Sequence, residues 1–168
     1  MIAIRVRTEP DFQRMAAMLG ELQNAVRNTR PALPGIVAIV KRQLAAQFDS
    51  EGARSPSGRW RPLSAKYAAW KARRFPGAKI LERTGALKRS LASYGPGSVV
   101  DYGPNSVFIG SSIHYGPYHQ TGTGSMRRRA PIEPTDRDVA EWVVELRNYF
   151  ERVGSRVGFT GRFAGAMR

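Results

Sequence analysis

The sequence predicts an α+β fold, in which an antiparallel helix pair and short helices pack on a small antiparallel β-sheet with long loops between them. Apolar side chains repeat with helical spacing before residue 49 and after residue 135, and two short β-rich runs flank a turn near residue 104. The 168 residues contain no internal repeat and no linker. We therefore predict one domain over residues 1–153 and a basic, glycine-rich C-terminal arm over residues 154–168.

The N-terminal part of the chain predicts one strand and two helices. Apolar side chains alternate over residues 2–6, which indicates a strand with one buried face. Thr8 suits the N-cap of a first helix, whose apolar stripe is Phe12, Met15, Ala16, Leu19, Leu22 and Val26. A second helix is expected over residues 33–48, with the stripe Leu33, Ile36, Val37, Val40, Leu44 and Phe48. Because a short proline-containing link joins them, the two helices are expected to run antiparallel.

A long loop over residues 49–62 follows the second helix and contains Trp60. The loop holds Gly, Ser, Pro and charged residues without periodicity, and loops of this length are commonly functional or disordered. Trp60 has two interpretations. It can fold back on the core of its own chain, or it can anchor on a neighbouring subunit, since Trp and Arg are enriched at interface hot spots.

Two short helices are predicted after this loop. Ser64 is expected to cap the first of them, on which Tyr67 and Trp70 lie at helical spacing and are predicted to pack in the core. The alternative for these aromatic side chains, which interleave with basic residues, is a platform for nucleic-acid bases. Thr84 is expected to cap the second short helix, which directs two side chains inward, Leu87 and Leu91.

The C-terminal half predicts a β-hairpin and a last helix. Residues 99–102 and 107–110 are β-rich and enclose a Gly-Pro-Asn-Ser turn. Thr135 and Asp138 have the spacing of a capping box. The helix that they begin has the apolar stripe Val139, Trp142, Val143, Leu146 and Phe150. It is expected to end near Val153.

The chain is strongly basic, with 27 Lys and Arg residues against 13 Asp and Glu residues and a net charge of +14. Residues 48–91 hold 11 basic and three acidic side chains, so that this segment alone carries +8. One interpretation is an anionic partner, either nucleic acid or an acidic protein surface, and the other is a solvated basic face. No apolar stretch is long enough to predict a membrane span or a signal peptide.

The residue patterns that enzymes use are mostly missing. The chain has no Cys, and its two histidines, His114 and His119, lie in one loop without the helical spacing of a zinc site. No phosphate-binding glycine motif occurs, and the carboxylates are scattered rather than paired as metal-assisted or glycosidic cleavage requires. We therefore predict a protein that is not an enzyme and uses no metal or cofactor.

Binding to other subunits or partners is the chemistry that the sequence favours. Arg127, Arg128 and Arg129 form a charge run in a glycine-containing loop, which is either solvated or an arm for phosphates or carboxylates. The residues that we predict at subunit or partner interfaces are Trp60, Arg59, Arg61, His119, Gln120, Arg127, Arg128, Arg129 and Arg162.

Three motifs in a fixed order carry a resemblance to a known family. They are W-x-P-L-S from Trp60, L-x-x-T-G-x-L-x-x-S from Leu81, and Y-x-x-x-H-Q-x-G from Tyr115. Together they resemble the virion morphogenesis, or tail-completion, family of Mu-like tailed phages, over residues 48–131. The small and basic residues of the 123–129 segment depart from the family pattern.

The resemblance implies a structural protein at the head–tail junction, made in the host cytoplasm and built into the neck or tail of the virion. It implies a ring of identical copies, commonly six, that contacts the adjacent connector or stopper and tail tube proteins, with genomic DNA in the channel. The competing hypothesis is a basic nucleic-acid-binding protein, which is motivated by the net charge of +14 and the +8 of residues 48–91. The resemblance makes the order of the motifs, rather than the charge, the stronger guide to function.

Overall fold

The computed structural model describes residues 12–124 and 126–158, which form a mixed α+β structure, as predicted. The elements in chain order are α1 (Phe12–Arg27), one 3-10 turn (Arg30–Ala32), α2 (Leu33–Asp49), α3 (Ala65–Arg74), α4 (Ala86–Ala92), β1 (Ser98–Tyr102), β2 (Val107–Ser111), α5 (Gly116–Thr121) and α6 (Asp136–Arg156). The strand predicted over residues 2–6, and residues 159–168 of the predicted arm, lie outside the described residues. Helix α6 continues to Arg156, beyond its predicted end.

The predicted hairpin is confirmed as an antiparallel sheet of β1 and β2. Its register pairs Ser98 with Ser111 and Tyr102 with Val107. The side chain of Asn105, at the turn, accepts a hydrogen bond from the amide of Thr29 at 2.8 Å and donates one to the carbonyl of Arg27 at 2.9 Å. The turn is therefore fastened to the link between α1 and α2.

Helix α2 is central to the packing, since it contacts both α4 and α6, while α4 lies on the sheet. The main core cluster is made of Leu44, Phe48, Trp60, Leu87 and Leu91. These side chains come from α2, the 49–62 loop and α4, so that apolar burial joins three segments that are distant in sequence. No helix within the described ranges is both long and apolar enough to cross a membrane.

Helix α1 packs against α6, but much of its predicted apolar stripe is exposed. Ala25 is buried, whereas Phe12 is 84% exposed and Leu19 and Val26 are also exposed. The helical period was therefore predicted correctly, and the extent of burial was not. An amphipathic pattern identifies the apolar face of a helix, but it does not say how much of that face the same chain covers.

The 49–62 loop folds back onto the chain and buries Trp60 to 4% exposure. The indole meets the ring of Phe48 edge-on at 5.5 Å, and its Nε1 donates to the carbonyl of Ala130 at 3.0 Å. Gly52 has φ of 82°, and a Cβ at this position would overlap the indole ring. Of its two predicted interpretations, Trp60 therefore takes the core position, and little of its surface is exposed to a neighbouring subunit.

Helix α3 begins as predicted, but its aromatic side chains do not enter the core. The Ser64 hydroxyl accepts from the amide of Tyr67 at 3.4 Å. Tyr67 and Trp70 are 39% and 41% exposed, and their rings stack on one another at 5.3 Å between centroids. The prediction that Tyr67 and Trp70 pack in the core is therefore wrong. Their rings pack mainly against each other at the surface.

The predicted caps of the two later helices have different outcomes. The N-cap of α4 is Gly85, one residue beyond the predicted Thr84. The capping box of α6 is confirmed, since Thr135 Oγ1 accepts from the Asp138 amide at 3.1 Å and Asp138 Oδ2 accepts from the Thr135 amide at 2.9 Å. Val139, predicted to face the core, is exposed.

Candidate functional site: a basic groove beside helix α3

A groove with a volume of about 700 Å³ lies beside the first part of α3. Its walls come from residues 62–71, 81–84, 115–119 and 126–129. Apolar and aromatic side chains form part of these walls, namely Pro62, Leu63, Tyr67, Leu81, Tyr115 and Met126. The charged side chains that line it are all basic, namely Lys71, Arg83, Arg127 and Arg129. None of the described lining residues has a carboxylate, so the groove is a positively charged surface.

Arg129 lies half-buried in this groove. Its Nε donates to the carbonyl of Arg61 at 2.7 Å and its Nη2 to the carbonyl of Pro62 at 3.0 Å. Burial lowers the pKa of Arg129 from its ordinary value, and the neighbouring Arg127 lowers it further. The carbonyls satisfy the donors without neutralising the charge, which an arginine retains in proteins.

Lys71 is a buried cation at the other side of the groove. Its Nζ donates to the carbonyl of Lys79, which ties α3 to the segment that follows it. Burial lowers the pKa of Lys71, and the nearby charges of Glu51 and Glu82 only partly oppose this effect. Burial also lowers the pKa of His119, and the charge of Arg129 adds to the effect, so that both favour the neutral imidazole.

The other two arginines of the 127–129 run have different surroundings. Arg127 is exposed and lines the groove. Arg128 forms an ion pair with Glu133 at 2.9 Å, and its Nε donates to the carbonyl of Gln120 at 3.0 Å. The run predicted as an arm therefore presents Arg127 outward, while its two following arginines fasten the loop to the chain.

The H-Q-x-G motif builds one wall of the groove. The carbonyl of His119 accepts from the amide of Arg129 at 2.9 Å. The Gln120 amide pairs with the backbone of Ile132, donating to its carbonyl at 2.7 Å and accepting from its N–H at 3.1 Å. Gly122 has φ of 79° and ψ of 161°, a region that is essentially restricted to glycine. The motif thus holds the 126–132 segment against α5.

We expect Gly122→Ala to lower the free energy of unfolding by about 1–3 kcal/mol, because the backbone conformation is unfavourable for any residue with a Cβ. That Cβ would also lie 3.1 Å from the amide nitrogen of Arg128 and from the carbonyl oxygen of Met126. Urea unfolding at pH 7 measures the change. Gly20→Ala is the control, since nothing lies within 4 Å of a Cβ there, and we expect it to stabilise α1 by about 0.5–1 kcal/mol. Equal stability of the two variants would contradict the role assigned to Gly122.

Glu133 joins the groove wall to the 49–62 loop. Its carboxylate accepts from the hydroxyl of Ser57 and pairs with Arg128. Burial alone would raise the pKa of Glu133, but the hydrogen bonds from Ser57, Ser55 and Arg128 outweigh it and lower the pKa to about 2. The folded protein therefore favours the charged form of this side chain.

This shift predicts a specific loss of stability in acid. Because the folded pKa of Glu133 lies below its ordinary value of 4.5, the contribution is fully present above that pH and is lost as the pH falls to about 2. We expect Glu133→Gln to lose on the order of 2 kcal/mol at pH 7 and to show a flatter decline over that acid range. Urea unfolding across the range measures both effects. The exposed Glu151→Gln is the control and should show the wild-type dependence of stability on pH. A decline for Glu133→Gln that is as steep as that of the wild type would count against the assignment.

A model of the phage virion morphogenesis family matches residues 10–152, which include every element described above except the last residues of α6. The chain belongs to the phage virion morphogenesis family. Membership indicates a structural or assembly role in a phage virion. Comparison with curated proteins and with solved structures gives no significant match to either.

The motifs that carried the family resemblance have architectural roles. Trp60 of the first motif and Leu87 of the second belong to the core cluster. Ser90 is fully buried, where its Oγ donates to the carbonyl of Leu87 at 2.9 Å and shares a hydrogen bond of 2.7 Å with the hydroxyl of Ser111. The third motif holds the groove wall. The family motifs therefore identify residues that hold the fold and the groove wall in place. They do not by themselves identify the residues that contact partners.

The structure brings together only some of the side chains that were predicted at interfaces. His119, Arg127 and Arg129 meet in the groove, and Arg61 contributes its carbonyl to Arg129. Gln120 and Arg128 make contacts within the chain, Trp60 lies in the core, and Arg59 is exposed. Arg162 lies outside the described residues.

Sequence reasoning did not single out Lys71 or Arg83 as members of the groove. Both belong to the basic 48–91 segment, so their charge was visible, but the charge of a segment does not show which side chains converge. Arg83 lies inside the second motif, between Leu81 and Thr84, and this placement was the one local indication in the sequence that Arg83 belongs to a structured segment. Among the described residues, no three His, Cys, Asp or Glu side chains come together in a way that could hold a metal ion.

Proposed function

We propose that this protein acts as a ring at the head–tail junction, completing the tail or neck so that it joins the DNA-filled capsid. The observation that carries the proposal is the family match over residues 10–152 together with the three ordered motifs within it. Six copies are expected, in contact with a connector or stopper on one side and with tail tube proteins on the other.

Two unlike surfaces on the chain support a cyclic assembly. In a ring, each copy uses one surface toward the preceding neighbour and a different one toward the next. The exposed apolar residues Phe12, Leu19 and Val26 of α1 form one surface, and the exposed, stacked rings of Tyr67 and Trp70 on α3 form another. An exposed apolar stripe is favourable when another protein covers it, because burial removes it from water.

Removal of the gene from a phage that encodes this chain tests the role. We expect lysates of the deletion to contain separate DNA-filled heads and separate tails by negative-stain electron microscopy, with infectivity restored by the gene supplied from a plasmid. A phage lacking an unrelated dispensable gene is the control for lysis and yield. Joined, infectious particles in the deletion would refute a role in joining heads to tails.

A basic nucleic-acid-binding protein is the second candidate, and one observation favours it. The stacked pair of Tyr67 and Trp70 is exposed on α3, next to the exposed Lys66, Arg73 and Arg74. Aromatic rings among basic side chains are typical of surfaces on which bases stack. The affinity for DNA would then fall with salt, with a slope of about −0.7 to −0.9 per neutralised phosphate. Loss of DNA binding in Trp70→Ala would support this candidate, and no binding at low salt would exclude it.

A further inference from the structure

Within the described chain, no carboxylate forms an ion pair with the basic side chains of the groove, although Glu51 and Glu82 act on Lys71 from a greater distance. Lys71 and Arg129 donate to backbone carbonyls, which carry no net charge. The ion pairs among the described residues include none of Lys71, Arg83, Arg127 and Arg129. By contrast, Arg54, Lys88 and Arg128 elsewhere on the surface each have a carboxylate partner. The groove therefore concentrates positive charge, which a negatively charged ligand would neutralise.

The shape and lining of the groove restrict what that ligand is. A volume of about 700 Å³ lies within the ~300–1,000 Å³ range of sites that enclose a small ligand. Leu63, Leu81 and Tyr115 give its walls apolar surface that a sugar–phosphate backbone does not use. An extended peptide, whose successive side chains point to opposite sides, can place carboxylates toward the arginines and apolar side chains toward these walls.

We propose that the basic groove binds an acidic peptide segment of another protein, with its carboxylates at Arg83, Arg127 and Arg129 and its apolar side chains against Leu63 and Leu81. The N-terminal end of α3, whose backbone dipole favours negative charge, lies along the same groove at Ser64. That the protein is a neighbouring virion component rests on the proposed function. The chemistry of the segment rests on the groove alone.

Binding of defined probes tests this assignment with the full-length chain. The probe is a fluorescein-labelled blocked peptide of alternating Glu and Leu, followed by fluorescence anisotropy. A peptide of alternating Glu and Ser tests the apolar walls, a peptide of alternating Lys and Leu tests the sign of the charge, and a labelled DNA duplex tests phosphate. We expect saturable binding of the Glu–Leu peptide, weaker binding of the Glu–Ser peptide and none of the Lys–Leu peptide.

Two variants with the same change in net charge separate the groove from general electrostatics. The double variant Arg83→Ser and Arg127→Ser removes two cations from the groove, and the double variant Arg73→Ser and Arg74→Ser removes two exposed cations outside it. We expect the groove variant to bind the Glu–Leu peptide about tenfold more weakly and the control variant to change by less than about twofold. All four side chains are exposed, and the thermal unfolding of both variants should match the wild type.

Three results would overturn the assignment. These are no saturable binding of the Glu–Leu peptide at low salt, equal losses in the two double variants, and a loss of DNA binding in the groove variant that matches its loss of peptide binding. The last result would assign the groove to phosphate. None of these measurements needs assembled particles, so their outcome is independent of whether the deletion phage joins its heads to its tails.

Discussion

Trp60→Ala is expected to lower the free energy of unfolding by about 3–5 kcal/mol, which is a large part of the stability of a typical domain. The indole is 4% exposed and fills the space between Phe48 and the loop at Gly52. Its removal opens a cavity in the core cluster and leaves the carbonyl of Ala130 without its donor. The 49–62 loop then loses its main apolar anchor. Urea unfolding monitored by circular dichroism measures the loss.

Two further variants test how much of this loss is due to burial of the Trp60 ring. Trp60→Phe retains an aromatic ring but removes the bond to Ala130, and we expect it to cost less than Trp60→Ala. Trp70→Ala is the matched control, because this indole is 41% exposed, stacks on Tyr67 and meets Phe75 edge-on. We expect it to cost about 1 kcal/mol or less. Similar losses for the two Trp→Ala variants would show that Trp60 is not the core residue described here.

The second large effect is expected at Lys41, a buried cation on α2 that joins three parts of the fold. Its Nζ donates to the carbonyl of Ser93 at 2.7 Å, to the hydroxyl of Ser98 at 3.0 Å and to the carbonyl of Leu91 at 3.3 Å. It also lies 4.5 Å from the centre of the Tyr94 ring. Burial lowers the pKa of Lys41. The three acceptors satisfy its donors, and the ring face is a favourable neighbour for a cation.

We expect Lys41→Met to lower the free energy of unfolding by about 2–4 kcal/mol, because the apolar chain is retained while the acceptors lose their donor. The end of α4 should loosen from β1, and amide hydrogen exchange should rise at residues 91–98. Lys66→Met on the exposed side of α3 is the control and should change stability by less than about 0.5 kcal/mol. An unchanged exchange rate at residues 91–98 would show that Lys41 does not hold this junction.

Local signals in the sequence predicted the elements of this fold well. The Thr135–Asp138 capping box, the Ser64 cap and the two β-rich runs around a Gly-Pro-Asn-Ser turn depend on neighbours within a few residues. Their physical cause is therefore contained in a short segment. The family was also predicted, because the order and spacing of its motifs can be read from the sequence without knowing which contacts the motifs make.

Burial was harder to predict than secondary structure, because it depends on which distant segments meet. Tyr67 and Trp70 have the spacing of a core face and are exposed, whereas Trp60 lies in an aperiodic loop and is in the core. The position of Trp60 depends on Ala130, which is far along the chain. Likewise, the groove joins Arg83 to Arg127 and Arg129 through the fold and not through spacing.

The contacts of the basic side chains in residues 48–91 show that their charge has two uses. Lys71, Lys79 and Arg89 donate to backbone carbonyls, and Lys88 pairs with both Asp49 and Glu82. Much of the charge in this segment therefore holds the fold together. What is left for partners is concentrated at the groove and on the exposed side of α3.

Cryo-electron microscopy of the head–tail junction in intact particles tests the central claim most directly. We expect density into which helices α2, α4 and α6 and the β1–β2 hairpin fit as a ring of copies between the capsid vertex and the tail tube. The ring should show the exposed face of α1 covered by a neighbour. A junction whose density is fully accounted for by other proteins, with this chain elsewhere in the particle or missing from it, would contradict the account.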